Sequence, residues 1–203
     1  MEFIEYRLSS EILYLGERTK AEIFKPCVKT LPFSQISGAL NAKFGSDNFK
    51  AVGYLTGDSG YNNIEYMTYA PRDKITGVSK LPLQAEFLSN VSGRIFVLRN
   101  GLDLPDVFKM TIGGLKSKGF GNCSLKMIGV LNADKAVRGI LNVRIPIDET
   151  TSFNIRNVIK PVYGYLFNKM PNTFTGNYVL SFFEGSEVVA PEFLLKNYEV
   201  RNG

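Results

Sequence analysis

Nine residues constrain this chain more than any others: Gly113-Gly114-Leu115-Lys116-Ser117-Lys118-Gly119-Phe120-Gly121. Four glycines in nine positions free the backbone to take positive φ and to bare its amides. Two lysines and a serine lie between them, so N–H and ammonium groups can close around an anionic oxygen. Upstream, Leu104, Val107, Phe108, Ile112 and Leu115 fall at helical spacing. Pro105 suits a first helical position, with Asp103 or Leu104 as the cap. Gly113 or Gly114 then ends that helix. Downstream, Cys123, Leu125 and Met127 alternate with Ser124, Lys126 and Ile128, which predicts a strand. The loop is therefore expected to join the C-terminal end of a helix to a strand.

That order excludes the common nucleotide loops. A Walker loop needs Gly-x-x-x-x-Gly-Lys-Ser/Thr between a strand and a helix. Gly114 and Gly119 have the first spacing, but Phe120-Gly121 follows where Lys-Ser should stand. The Gly-x-Gly-x-x-Gly dinucleotide pattern is absent. A helix C-terminus repels anions, so loop amides and lysines would have to hold any phosphate by themselves. That arrangement suits an extended polyanion such as RNA. The same residues also suit a plain αβ turn with solvated lysines.

Composition narrows the chemistry. The 203 residues carry a net charge of +5, compatible with a nucleic-acid partner, and include no histidine. The commonest general base and the commonest transition-metal ligand are therefore missing. Cys27 and Cys123 are too isolated for a zinc site, and a disulfide between them stays open. No metal or cofactor is expected. The N-terminus shows no signal core and no apolar run reaches the ~20 residues of a membrane span. A cytoplasmic protein with no membrane contact is expected.

In chain order, Ile4, Tyr6, Leu8, Ile12 and Tyr14 keep one parity and predict a first strand of about a dozen residues. Residues 23–28 read as a short extended piece. Phe33, Ile36, Leu40 and Phe44 share one helical face, and Gly45 is the stop. Strands follow at 49–55 and 64–69 around a Gly57–Gly60 turn. Residues 70–82 form a polar loop carrying Arg72, Lys74 and Lys80. A hairpin is expected from 84–89 and 94–98 around Asn90-Val91-Ser92-Gly93. Another strand is predicted at 136–145, and two more in the aromatic stretches 163–167 and 177–183. Most of those aromatics read as core, with base stacking as the alternative. Residues 188–195 are placed over the sheet edge.

Three segments together resemble one family. Ile112 to Gly121 looks like the glycine-rich loop of the RAMP (repeat-associated mysterious protein) superfamily of CRISPR-associated proteins. Pro32-Phe33-Ser34 leading into Gly38-Ala39-Leu40 is similar to the entry of its first helix. Tyr163 to Phe167, Gly176 to Val179, Glu184-Gly185-Ser186 and Ala190-Pro191 resemble the tail of the branch that includes the type III subunit capping the guide at its 5′ end.

The resemblance implies an α+β, ferredoxin-like fold, with an antiparallel sheet and helices on one face. It implies one RAMP-type domain over 1–203, with room for a degenerate second unit over about 130–203. The implied function is a non-catalytic CRISPR RNA-binding subunit of a type III effector complex. Its partners would be CRISPR RNA, other effector subunits and, within reach, target RNA. The implied RNA contacts are Gly113, Gly114, Lys116, Ser117, Lys118, Gly119, Phe120 and Gly121. Ser34, Ser37 and Lys43 on the first helix join them, as do Arg72, Lys74 and Lys80 in the polar loop. Phe120 either stacks on a base or anchors the loop.

Two other function classes compete. Guide-processing RAMP nucleases commonly use a histidine, and this chain has none. Target-cleaving relatives place an aspartate shortly before the first helix, whereas residues 15–33 hold only Glu17 and Glu22 as acids. A ferredoxin-like protein binding a small anion is the third class.

Overall fold

The computed structural model describes residues 1–16, 23–46, 48–56, 63–101, 103–169 and 175–196. The Gly57–Gly60 turn, Glu17, Glu22, Asp47 and Asp58 lie outside the described residues.

The chain is α+β, with many strands and little helix. The first stretch alternates as its sequence requires and forms β1 (Glu2–Leu13). A short β2 (Phe24–Lys25) precedes α1 (Phe33–Phe44). Gly45, at φ +66°, ends the helix with its amide donating to the Asn41 carbonyl. There follow β3 (Ala51–Thr56), β4 (Ile64–Tyr69), β5 (Leu83–Leu98), β6 (Val107–Thr111) and β7 (Asn122–Asn132). The remainder holds β8 (Val137–Ile140), β9 (Ile145–Pro146), β10 (Asn157–Lys160), β11 (Tyr163–Lys169), β12 (Gly176–Phe182) and β13 (Glu187–Ala190).

β1 to β7, α1 apart, make one sheet with the order β2-β5-β1-β7-β6. β3 and β4 share the outer edge of β5, β3 beside its C-terminal half and β4 beside its N-terminal half. The tail forms two small sheets, β10-β13-β8 and β11-β12-β9.

Two expectations are corrected here. Residues 83–98 are one continuous strand, not a hairpin. Asn90 does take φ +49°, but the chain does not reverse there. Gly93 serves packing instead: a Cβ on it would stand 2.7 Å from the Tyr54 carbonyl oxygen on β3. The helix expected over 104–115 is likewise absent. Leu104, Phe108 and Ile112 satisfy a spacing of four, which fits a strand as well as a helix. Met110 is buried beside Phe108 while Val107 and Lys109 point out, and that alternation marks β6. α1 is the only α-helix among the described residues, so the expected helices on one face reduce to one.

Both faces of the sheet are buried at one end. Ile4, Tyr6, Leu8, Ile95, Val97 and Leu125 pack under α1 through Ile36 and Leu40. Phe3, Val52, Phe96 and Leu98 face the other way, against Phe153, Val188 and Phe193 from the tail. Phe96 and Phe193 bring their ring centres within 4.8 Å. Residues 188–195 therefore cover a sheet face and do not lie over an edge. On β1 and β5, Glu5 and Arg94 form a buried ion pair at 3.0 Å. Burial pushes the Glu5 carboxyl up, and the Arg94 charge opposes it. Among the described residues no helix is long and apolar enough to cross a membrane.

Candidate nucleic-acid interface

The glycine-rich loop is the β6–β7 connection, with a single 3-10 turn at Lys116–Lys118. Its glycines are set by contact with the chain behind it. At Gly113, φ is +83° and a Cβ would stand 2.1 Å from the Tyr14 carbonyl oxygen. At Gly121, φ is +81° and a Cβ would stand 2.0 Å from the Ile112 carbonyl oxygen. No other residue type fits either place without moving the backbone.

Several amides read from sequence as bare are spent on the fold. Gly114 N–H donates to the Tyr14 carbonyl and Gly121 N–H to the Ile12 carbonyl, both at 2.9 Å. Lys118 and Gly119 donate back to Leu115 and Lys116 inside the turn. The Lys116 and Ser117 amides have no acceptor among the described residues. Phe120 is buried and meets Phe87 edge-to-face at 5.0 Å, so it anchors the loop and offers no stacking surface. Gly121 and Phe120 thus belong to the scaffold of the loop.

The two lysines part company. Lys116 lines a groove, while Lys118 turns away and holds its Nζ 5.3 Å from the centre of the Tyr69 ring. Gly119 lies on a separate hollow of about 700 Å³ beside Ser9, Glu11, Asn90 and Lys109. Ser117 is exposed on the crest between them.

The groove, of about 690 Å³, brings together Gly113, Gly114 and Lys116 with Ser34 and Gln35 of α1. α1 opens onto it at Pro32, with no acidic residue in its first turn. Phe33, Gln35 and Ile36 N–H donate to the Arg144 and Pro32 carbonyls, so the helix dipole and the Ser34 amide are what favour an anion here. Arg144 lies in the same groove. It grips Glu184 through two bonds of 2.7 Å, stacks 4.2 Å over the Phe183 ring, and its carbonyl accepts from Phe33 N–H. It ties the start of α1 to the tail. Tyr165, Phe167 and Tyr178 complete the far wall.

Ser37 and Lys43 do not line the groove, although Gly38, Ala39 and Ala42 beside them do. Ser37 is buried, and its hydroxyl exchanges two hydrogen bonds with the Ala51 backbone. Lys43 is exposed nine residues beyond Ser34, about 14 Å along the axis. Arg72, Lys74 and Lys80 sit on the β4–β5 connection, away from the groove. That connection folds on itself: Ile75 and Thr76 N–H donate to Asp73 Oδ1 at 2.9 and 3.0 Å. Lys80 Nζ pairs with Asp73 Oδ2 at 3.2 Å. Those bonds hold the Asp73 carboxyl below the usual range. Ile75, 95% exposed, stands at the tip.

Sequence reasoning missed Tyr14 and Arg144, and read the aromatic wall as core with base stacking as the alternative. Each reaches the site by tertiary packing, and no local pattern marks them. Tyr14 backs the loop with its carbonyl, and burial pushes its phenol up to about 12. Both cysteines are free, buried thiols; burial pushes Cys27 up to about 11, far from a reactive thiolate. Among the described residues no group of three or more His, Cys, Asp or Glu gathers to hold a metal.

No protein-family model matches the sequence, and comparison with curated proteins also returns no match. Solved structures do share the fold. One is a chain in the cryo-EM structure of the type III-B Cmr-beta bound to cognate target RNA and AMPPnP. It aligns with a TM-score of 0.58 and 13% identity, over 99% of this chain and 90% of that one. A second is a chain of the type III-B Cmr-beta bound to cognate target RNA. It aligns with a TM-score of 0.57 and 13% identity, over 91% of this chain and 86% of that one. At such identity the likeness is one of fold.

Proposed function

We propose that this chain is a RAMP-type subunit of a type III CRISPR effector complex, working in the cytoplasm and holding guide RNA by its backbone without cleaving it. The observation that carries this reading is the convergence of Gly113, Gly114, Lys116 and Ser34 on one groove facing the start of α1. A loop and a helix entry about 80 residues apart in sequence, each resembling the same family, line one concave surface with amide, ammonium and hydroxyl donors and, among the described residues, no carboxylate.

The strand order supports a ferredoxin-like core. β3-β5-β1-β7, with α1 between β1 and β3, is the order of that fold, with β6 standing where its second helix would be. The folded likeness to chains of type III-B complexes bound to target RNA points the same way. Among type III subunits, the tail resemblance favours the cap at the guide 5′ end. In this reading the Arg72–Lys80 arm reaches toward the guide or its target, and other effector subunits flank the chain.

A non-catalytic role agrees with a sequence lacking histidine. The small-anion alternative would leave the length of the groove and the protruding arm without a task. The deciding experiment is purification of the chain from its native cell. Co-purifying RNA of guide length with other effector subunits is the expected result. Recovery without RNA, or cleavage of repeat RNA by the pure chain, would remove this reading.

A further inference from the structure

We infer that the outward face of the β11–β12 ribbon is a stacking platform for unpaired RNA bases, adjoining the groove that holds the backbone. This rests on the RNA-binding reading above and assigns it a second element.

The ribbon carries its aromatics on one face. Tyr163 pairs with Phe182, Tyr165 with Leu180 and Phe167 with Tyr178. The first and last of these rungs bring their rings to 5.5 Å. Leu166 points the other way and is buried. Phe182 at one end is buried in the core, yet Tyr163, Tyr165 and Tyr178 are 58%, 65% and 58% exposed, so the rest of this face is open. Among the described residues, β9 borders β12 only at Ser181 and Phe182, and the rest of the ribbon extends past it.

Three features select single-stranded RNA as the occupant. The face adjoins the groove, because Tyr165, Phe167 and Tyr178, together with Leu166 from the other side of the ribbon, line it along with Gly113, Gly114 and Lys116. Neither strand contains an Asp or Glu to repel phosphate. Alternate residues of a strand stand about 6.6 to 6.8 Å apart, twice the ~3.4 Å step between stacked bases. Successive rungs therefore match every second base without straining the nucleic-acid backbone. Phosphates would follow the Lys116 wall while bases lie on the tyrosines, which reads the strand with little sequence preference.

The test uses the full chain and two probes of equal charge: an oligouridylate of about 12 nucleotides and its abasic counterpart. The chain has no tryptophan but ten tyrosines, so tyrosine emission reports contact at the ribbon when the parent chain is compared with its tyrosine variants. Oligouridylate should quench that emission and the abasic strand should not. Tyr165→Ala and Tyr178→Ala should each weaken oligouridylate binding by about 5- to 100-fold. They should weaken abasic binding by clearly less than this, and Tyr165→Phe should restore affinity. Equal loss on both probes, or no loss on oligouridylate, overturns the stacking platform. If Lys116→Ala still weakens both probes in that case, the backbone grip survives alone. If the unmodified chain binds neither probe, both readings fall. If the tyrosine variants shed a protein partner while RNA affinity holds, the face is a protein contact and the inference is wrong.

Discussion

Two cationic loops stand out in this molecule, and they are built on opposite plans. The β6–β7 loop is stitched into the body of the protein. Its glycines touch the Tyr14 and Ile112 carbonyls, two of its amides reach β1 or the segment just after it, and Phe120 is sunk against Phe87. The β4–β5 loop is self-contained, closed by Asp73 with its own amides and with Lys80. Charge count alone does not distinguish them. The difference teaches that the cations of a loop are positioned by what its uncharged residues do. The first presents Lys116 at a fixed place in a groove; the second carries its cations on an arm.

Truncating the anchors should separate the two loops most. Phe120→Ala empties a core position and should cost about 3–5 kcal/mol, whereas Ile75→Ala at the exposed tip should stay within about 0.5 kcal/mol. Urea unfolding of both variants measures this, and equal costs would erase the contrast. Next, Gly121→Ala forces a Cβ onto a carbonyl and should cost on the order of 3 kcal/mol. Gly77→Ala in the other loop, at φ +70° with open space around it, should cost about 1 kcal/mol. Thermal unfolding of the pair gives the answer.

Smaller effects concern binding. Lys116→Ala should lower the salt dependence of single-stranded RNA binding by roughly 0.7 in log–log slope, as for one lost phosphate contact. Lys118→Ala, whose charge is turned toward Tyr69, should change it less. Anisotropy titrations over a salt series compare them, and a larger effect from Lys118 would reverse the assignment. The smallest effect is a pH response confined to the arm. The folded Asp73 carboxyl lies below its unfolded value, so its bonds are complete above the unfolded pKa. They are lost as pH falls through the folded one. The Ile75 and Thr76 amide resonances should shift together with a midpoint below that of an ordinary aspartate, while the β6–β7 amides stay still.

Much of this frame was legible in the sequence, where one period dominated. β1 follows its alternation, α1 follows Phe33, Ile36, Leu40 and Phe44, and the two aromatic strands of the tail lie close to where they were expected. The failures share a cause. Leu104, Phe108 and Ile112 fit both periods, and only the burial of Met110 beside an outward Lys109 decides for a strand. Ser92-Gly93 reads as a turn until β3 is known to press its Tyr54 carbonyl on Gly93. At the groove, local chemistry marks Ser34, Gly113, Gly114 and Lys116 in the sequence, whereas Gly119 and Gly121, marked in the same way, lie outside it. Ser37 could not be told from Ser34, because one turn of helix decides which hydroxyl faces Ala51 and which the groove. Tyr163, Tyr165 and Tyr178 read as core because aromatic strands usually are, and their exposure follows from a ribbon covered on one side only.

β1 sits between β5 and β7, and both neighbours come far later in the chain. At ribosomal speeds of about 5–20 residues per second, both edges of β1 wait several seconds for their partners. During synthesis β1 is for that time an unpaired hydrophobic ribbon, open to chaperones or to a wrong neighbour. Yield in the cell should therefore respond to translation rate between β1 and β7 more than to changes anywhere in the tail.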